Sequence, residues 1–160
     1  MPKDKCKLEI ETIVKIRNNR EEIYTLINQE NVNYRGYKKR TALFESVVSG
    51  HLEMSEYFIS LGADVNISDK DGFTPLHFAA MYYRVEIVKL LLEKGAVIDK
   101  QDSWGNTALS RAVYESKGRG DIIKLLLENG ADRNLKNYYD VSPLDLANKI
   151  ANYDMKQFFT

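Results

Sequence analysis

The chain has 160 residues, 44% of them hydrophobic and 29% charged, which is the composition of a folded domain rather than of a disordered chain. Its 23 Lys and Arg balance 23 Asp and Glu, so no overall charge draws it to nucleic acid or to an anionic membrane. The charged N-terminus has no apolar run, so we expect neither a signal peptide nor a membrane span. Cys6 is the only cysteine, which excludes an internal disulfide and favours a cytoplasmic location.

Short sequences recur along the chain at intervals of about 33 residues. One marker is Thr-x-Leu or Ser-x-Leu, at residues 41–43, 74–76, 107–109 and 142–144. A second marker is a glycine, at Gly62, Gly95 and Gly130. For both markers the interval is 33 residues and then becomes 35. The third unit therefore contains a two-residue insertion between Thr107 and Gly130, most simply in residues 115–120.

Local signals predict two helices in each unit. Thr74 is a good N-cap, and Pro75 suits the first helical position because its missing N–H is not needed there. A second helix carries the apolar stripe Ile87, Leu90 and Leu91 and ends near Gly95. Such a unit has two apolar faces and cannot bury both alone, so neighbouring units must stack.

The 33-residue period with T-P-L-H-x-A, here residues 74–79, resembles the ankyrin repeat family. The resemblance implies an all-α ankyrin repeat solenoid of helix-turn-helix units with β-turn fingers. On this basis we divide the single domain, residues 1–160, into an N-terminal cap (1–35), repeats at 36–68, 69–101 and 102–136, the last with the two-residue insertion, and a C-terminal cap (137–160). A helix at 8–16 would belong to the first cap, and two caps suggest a whole protein.

His77 is expected to be architectural. It follows the N-cap Thr74 by three residues, and the resemblance implies that it forms hydrogen bonds locally and to the adjacent turn. The matching positions in the other units hold Phe44, Ser110 and Asp145, so no histidine cluster arises by repetition. With two histidines and one cysteine in the chain, no zinc-ligand spacing exists, and we expect no cofactor, no metal and no catalytic site.

Three positions depart from the repeat pattern. Lys39 and Asp140 stand where Gly72 and Gly105 occur in the other turns. If this position needs a positive φ, each non-glycine residue there is strained by about 1 kcal/mol or more, and the first turn is reshaped. Tyr83 likewise replaces a glycine in the loop between two helices, so the form of that loop is open.

The resemblance also implies where a partner would bind, because recognition positions in this family lie on the turn tips and on the exposed side of the first helix of each repeat. These positions are rich in aromatic residues, which together with arginine dominate the energetics of protein interfaces. We therefore predict a partner-binding set on the concave face that comprises Tyr37, Lys38, Arg40, Lys70, Asp71, Phe73, Met81, Tyr82, Trp104, Asn106, Tyr114, Glu115, Tyr138 and Tyr139. The alternative is that some aromatics, Phe73 and Tyr83 especially, pack against neighbouring turns.

Together these features predict a non-catalytic, monomeric protein that acts by binding another protein. As a small single-domain ankyrin protein, the chain resembles those encoded in bacterial toxin–immunity loci, so one hypothesis is that the partner is a toxin that the chain neutralises. An adaptor that recruits a substrate to an enzyme is an alternative. An RNA-binding module is another, suggested by a short basic and aromatic run at residues 34–40. The zero net charge argues against that last reading.

Overall fold

A computed structural model describes residues 23–24, 26–150 and 153–159, and in these ranges the chain is helical, with no strand. Helices follow one another in pairs, and each pair is separated from the next by an extended turn. Their bounds are α1 Ala42–Ser49, α2 Leu52–Ser60, α3 Pro75–Met81, α4 Val85–Glu93, α5 Ala108–Glu115, α6 Asp121–Glu128 and α7 Pro143–Lys149, with 3-10 turns at Tyr37–Lys39 and Met155–Phe158.

The helices stack in two rows. The first helix of each pair contacts the first helix of the next, in the order α1, α3, α5 and α7. The second helices α2, α4 and α6 form a parallel row behind them. This is the predicted helical solenoid, and the sequence period of 33 residues is therefore the step from one layer to the next.

Side-chain caps define where the first helices begin. The Thr74 hydroxyl accepts the His77 N–H, and the Ser142 hydroxyl accepts the Asp145 N–H at 3.1 Å, each followed by a proline at the first helical position. The Asp145 carboxylate in turn accepts the Ser142 N–H at 2.9 Å, which lowers the pKa of Asp145. Thr41 makes no such bond, and its buried hydroxyl has no hydrogen-bond partner among the described residues.

The core lies between the two rows of helices. First helices contribute small residues such as Ala79 and Ala112, which allow neighbouring layers to approach closely. Second helices contribute branched residues, among them Leu91 and Ile123, which are fully buried. A continuous apolar core therefore runs through all the described repeats.

The turn positions predicted to need a positive φ do need it. Gly72 and Gly105 have φ of 80° and 78°, and Lys39 and Asp140 take the same conformation at 59° and 60°. Glycine is required at Gly72 for a second reason, since a Cβ there would lie 2.7 Å from the Ser103 nitrogen. Lys38 also has a positive φ, 56°, so the first turn has two successive left-handed residues and is reshaped, as expected.

Tyr83 occupies the left-handed conformation that Gly50 has in the preceding loop, with φ of 56° against 75°. Its hydroxyl donates to the Asp121 carboxylate at 2.5 Å and accepts the Asp121 N–H at 3.1 Å. The Arg119 guanidinium lies over its ring, 3.6 Å from the centroid. The alternative interpretation of Tyr83, packing against a neighbouring turn, is thus confirmed, since Arg119 belongs to the loop that carries the insertion and Asp121 is the first residue of the helix that follows it.

At the C-terminal end, the segment from Met155 to Phe158 replaces the second helix of a further pair. Met155 and Phe159 are buried, and the Arg133 side chain donates to the Phe159 carbonyl. The Phe158 ring packs against Gly120, where no Cβ would fit. At the other end, the predicted helix at 8–16 and Cys6 lie outside the described residues. No helix in the described ranges is long and apolar enough to cross a membrane.

Candidate protein-binding surface

Four turns stand side by side along one edge of the solenoid, at residues 36–40, 69–73, 102–106 and 137–141. We call them the turn row. Backbone hydrogen bonds join each turn to the next: Lys70 N–H donates to the Lys38 carbonyl (2.8 Å), Ser103 N–H to Asp71 (3.0 Å), and Tyr138 N–H to Trp104 (3.2 Å). Because these bonds fix the turns against one another, side chains at their tips form one continuous surface.

In each of the last three turns, the side chain of the first residue accepts hydrogen bonds from two backbone N–H groups of the same turn. In the third turn, Asp102 Oδ1 accepts the N–H groups of Trp104 and Asn106 at 2.9 and 3.0 Å. Asp69 makes the same pair of bonds in the second turn, and Asn137 makes it in the fourth. The following side chains are thereby directed outward, which places Trp104 and Tyr139 on the surface.

Two arginines satisfy the buried carboxylates beneath the turn row. Arg40 Nε lies 3.1 Å from Asp69 Oδ2, and Arg111 donates to Asp102 Oδ2 from Nε (3.0 Å) and Nη2 (2.5 Å). Both aspartate side chains have 0% exposure, so these ion pairs are largely desolvated. The positive charges of Arg40 and Arg111 are therefore neutralised within the protein.

The same arginines stack on a chain of aromatic rings. Arg40 lies 4.4 Å from the Phe78 ring centroid, and Arg111 lies 5.0 Å from Phe73 and 5.6 Å from Trp104. The rings also contact each other, with centroid distances of 5.2 Å for Phe73–Phe78 and 5.7 Å for Phe73–Trp104. Rings and guanidinium groups thus form a preorganised platform rather than mobile side chains.

The platform borders a shallow hollow of about 260 Å³. Its lining residues are Phe73, Trp104, Asn106, Arg111 and Tyr139. Four of these were predicted as partner-binding positions, and Arg111 was not. The sequence offers no signal for Arg111, because it lies on helix α5 at a position that Phe78 occupies in the preceding repeat.

The predicted partner-binding residues fall into two groups. One group lies in the turn row and includes the highly exposed Tyr37, Tyr138 and Tyr139, together with Trp104, which is 40% exposed. The other lies at the far ends of helices α3 and α5 and consists of Met81, Tyr82, Tyr114 and Glu115. Tyr82 extends the aromatic chain, since its ring stacks on Phe78 with centroids 6.0 Å apart.

Several of the predicted residues, Phe73, Met81 and Asn106 among them, also make contacts within the fold. Phe73 and Met81 are half-buried and pack on the core, as the alternative interpretation of Phe73 anticipated. Asn106 is half-buried, and its Oδ1 accepts a hydrogen bond from the Asn137 amide at 2.8 Å. These three positions therefore combine structural contacts with a place at the edge of the surface.

His77 is architectural in the structure. Its Nδ1 accepts the Thr74 N–H at 3.1 Å, and its Nε2 donates to the Asn106 carbonyl of the next turn at 3.0 Å. Burial lowers the pKa of His77, so the ring is neutral at physiological pH. Among the described residues, no group of three or more His, Cys, Asp or Glu side chains is placed to hold a metal.

This arrangement of stacked helix pairs and outward turns defines a helical repeat protein. Comparison with protein families is specific: a model described as ankyrin repeats in three copies matches residues 61–137, and a model of the single ankyrin repeat matches residues 38–70. The chain belongs to the ankyrin repeat family. Ankyrin repeats are protein–protein interaction modules and are in general non-catalytic.

Similar proteins come from animals and from a virus. Ankyrin repeat and SOCS box protein 11 of Mus musculus is 43% identical over 107 residues, which are 66% of this chain and 32% of that protein. Ankyrin repeat and SAM domain-containing protein 6 of Mus musculus is 37% identical, covering 68% of this chain and 12% of that protein. The putative ankyrin repeat protein FPV222 of Fowlpox virus (strain NVSL) is 42% identical, covering 78% and 16%. The chain thus spans a third or less of each of these relatives.

Proposed function

We propose that the chain binds a partner protein through the turn row and the adjoining side of its first helices, the expected concave face of the solenoid. The observation that carries this proposal is the exposed aromatic surface around Trp104. Three large aromatic side chains, those of Trp104, Tyr138 and Tyr139, are exposed side by side on adjacent turns joined by a backbone hydrogen bond. Contiguous exposed aromatic surface of this kind marks interaction sites in soluble proteins.

The platform is suited to binding for a second reason. Arg111 and Phe73 are held in place by Asp102 and by ring contacts, so binding would cost little side-chain entropy. Tyrosine and tryptophan offer a large contact area with few rotatable bonds, and they are enriched among the residues that contribute most to interface energies.

The biological role would follow from what the partner does. A bound toxin would make the chain an immunity protein, whereas a substrate delivered to an enzyme would make it an adaptor. The relatives described above are not named for toxins or immunity. Two of them join ankyrin repeats to a SOCS box or a SAM domain, and this architecture favours the adaptor role.

The experiment is affinity capture from a lysate of the source cells, followed by titration of the purified captured protein. Trp104→Ala should weaken binding by about 2 kcal/mol, or roughly thirtyfold. Tyr153→Ala is the matched control, because Tyr153 is an exposed aromatic residue in the C-terminal segment, outside the turn row. Binding that is weakened by Tyr153→Ala but not by Trp104→Ala would contradict the proposed surface.

The captured protein also discriminates between the roles. Loss of its own activity on binding would indicate an inhibitor, whereas a ternary complex with an enzyme and retained activity would indicate an adaptor.

A further inference from the structure

We propose that the partner presents an extended segment to the turn row, acidic where it crosses the first turn and carrying an aromatic or large aliphatic side chain where it reaches the third and fourth turns. This inference rests on the proposed function and specifies the chemistry of the partner. It follows from how charge and exposed aromatic surface are distributed along the turn row.

Uncompensated positive charge lies at the first turn. Among the described residues, no carboxylate forms an ion pair with Arg35, Lys38 or Lys39. Arg35, directly before the first turn, donates to the backbone carbonyls of Lys39 and Ser68, so among the described residues no carboxylate balances its charge. Lys38 lies over the exposed Tyr37 ring, 5.7 Å from its centroid.

Charges farther along the row are balanced locally. Lys70 lies 4.0 Å from the Asp71 carboxylate, and Lys136 forms an ion pair with Asp140 at 2.8 Å. Arg111 is occupied by Asp102. The third and fourth turns therefore offer aromatic surface without surplus charge, and a polar or charged segment would gain little there.

The dimensions of the row set the length of the segment. Adjacent packed helices lie roughly 8–10 Å apart, so the three steps from the first turn to the fourth span about 24–30 Å. An extended chain covers this distance with about seven to nine residues. The acidic residues and the apolar anchor should accordingly be separated by about six to eight residues.

The distribution of charge favours a protein segment over single-stranded RNA. A nucleic acid carries one phosphate per nucleotide and binds best to a groove that is positive along its whole length. Here the positive charge that has no carboxylate partner among the described residues is concentrated at one turn, and Asp71 and Asp140 lie near the path of the remainder.

The test is selection of random 12-residue peptides displayed on phage against the purified full chain. Enriched peptides should contain two or more Asp or Glu residues separated by about six to eight residues from a Trp, Phe or Leu. A synthetic peptide of that consensus should bind about tenfold more weakly to the double variant Lys38→Asn, Lys39→Asn. Asparagine removes both charges and still tolerates the positive φ of these positions.

Lys89→Asn is the matched control, since Lys89 is an exposed lysine on helix α4, away from the turn row, and should leave peptide binding unchanged. Melting curves verify that each variant is folded. Binding to the wild type should also weaken as NaCl rises from 50 to 500 mM, because the proposed charge contacts are exposed.

Three results would overturn the inference. Enriched peptides that lack acidic residues, or that bind the double variant normally while Trp104→Ala weakens them, would refute the acidic segment and leave the proposed surface standing. Failure to enrich any peptide sensitive to either variant would refute the extended segment, whereas the proposed surface is refuted by a captured partner whose binding Trp104→Ala leaves unchanged. Tighter binding of a 12-nucleotide oligouridine than of the consensus peptide at 150 mM NaCl would favour RNA.

Discussion

The Nε2–H of His77 donates a hydrogen bond to the backbone carbonyl of Asn106, 3.0 Å away in the next turn. Since Nδ1 of the same ring accepts the Thr74 N–H, one neutral imidazole both caps its own helix and joins two layers of the solenoid. Protonation of Nδ1 would destroy the first of these bonds and place a charge in the core.

His77→Asn should therefore lower the free energy of unfolding by about 1–3 kcal/mol. Asparagine can still accept the Thr74 N–H, but it is too short to reach Asn106, whose carbonyl would keep only the Asp102 N–H. Urea denaturation of the two proteins at pH 7.5 measures the difference. Unchanged stability would mean that the bond to Asn106 contributes nothing.

The same residue predicts a pH dependence. Burial lowers the pKa of His77 in the folded state, so the unfolded chain binds the proton more readily. Stability should then be fully present above about pH 6.5 and should fall as the pH drops from there through the lower folded pKa. In His77→Asn this decline should be weaker, and equal slopes for the two proteins between pH 5 and 7 would contradict the assignment.

The side chains at one equivalent position of successive repeats, residues 33, 66 and 99, predict a stabilising substitution. Asn33 and Asn66 each accept an N–H from the next repeat and donate to the carbonyls of Gly62 and Gly95. Asp99 occupies the next position and accepts the Asp132 N–H at 3.1 Å, but an ionised carboxylate cannot donate. Asp99→Asn should restore the missing bond, to Gly130, and raise stability by about 0.5–1 kcal/mol.

Asn66→Asp is the matched control and should lower stability, because it removes a bond of the same kind. Burial also raises the pKa of Asp99, so the folded protein binds this proton more readily than the unfolded chain does. In the wild type, stability should therefore fall as the pH rises from about 3.8 through the folded pKa of Asp99. Asp99→Asn should not show this fall. Thermal melts at pH 4 and pH 7 test both statements.

Leu91→Ala should cost about 2–5 kcal/mol, because the leucine has 0% exposure and lies between helices of adjacent layers. Val97→Ala is the control, since Val97 is exposed in the following turn and should change stability by no more than about 0.5 kcal/mol. Denaturant melts of both variants measure the difference, and a small effect for Leu91→Ala would mean that the layers can collapse around the cavity.

Tyr82 tests whether the far ends of the first helices belong to the binding surface. Its ring is exposed yet stacked on Phe78, so Tyr82→Ala should leave the fold intact and weaken partner binding by about 2 kcal/mol. A titration with the captured partner measures this. Normal binding to Tyr82→Ala, with weakened binding to Trp104→Ala, would confine the interface to the turn row.

Much of this protein could be predicted from the sequence because its structure repeats with the sequence period. The caps at Thr74 and Ser142, the buried Leu91 and the left-handed turn at Lys39 each follow from local chemistry combined with that period. The outward position of Trp104 follows as well, because turn tips cannot be buried in a stack of helices. The boundaries of the repeats and the partner-binding set stay predictions.

Only the tertiary structure decided which side chains meet between layers. Arg40 pairs with Asp69, Tyr83 binds Asp121, and Phe73 lies against Trp104, all across separations of 29 residues or more. Arg111 joins the platform from a helix position where the preceding repeat has a phenylalanine. Each of these contacts is formed by two non-equivalent positions that stacking brings together. They depend on differences between repeats rather than on the common pattern, so the sequence period cannot predict them.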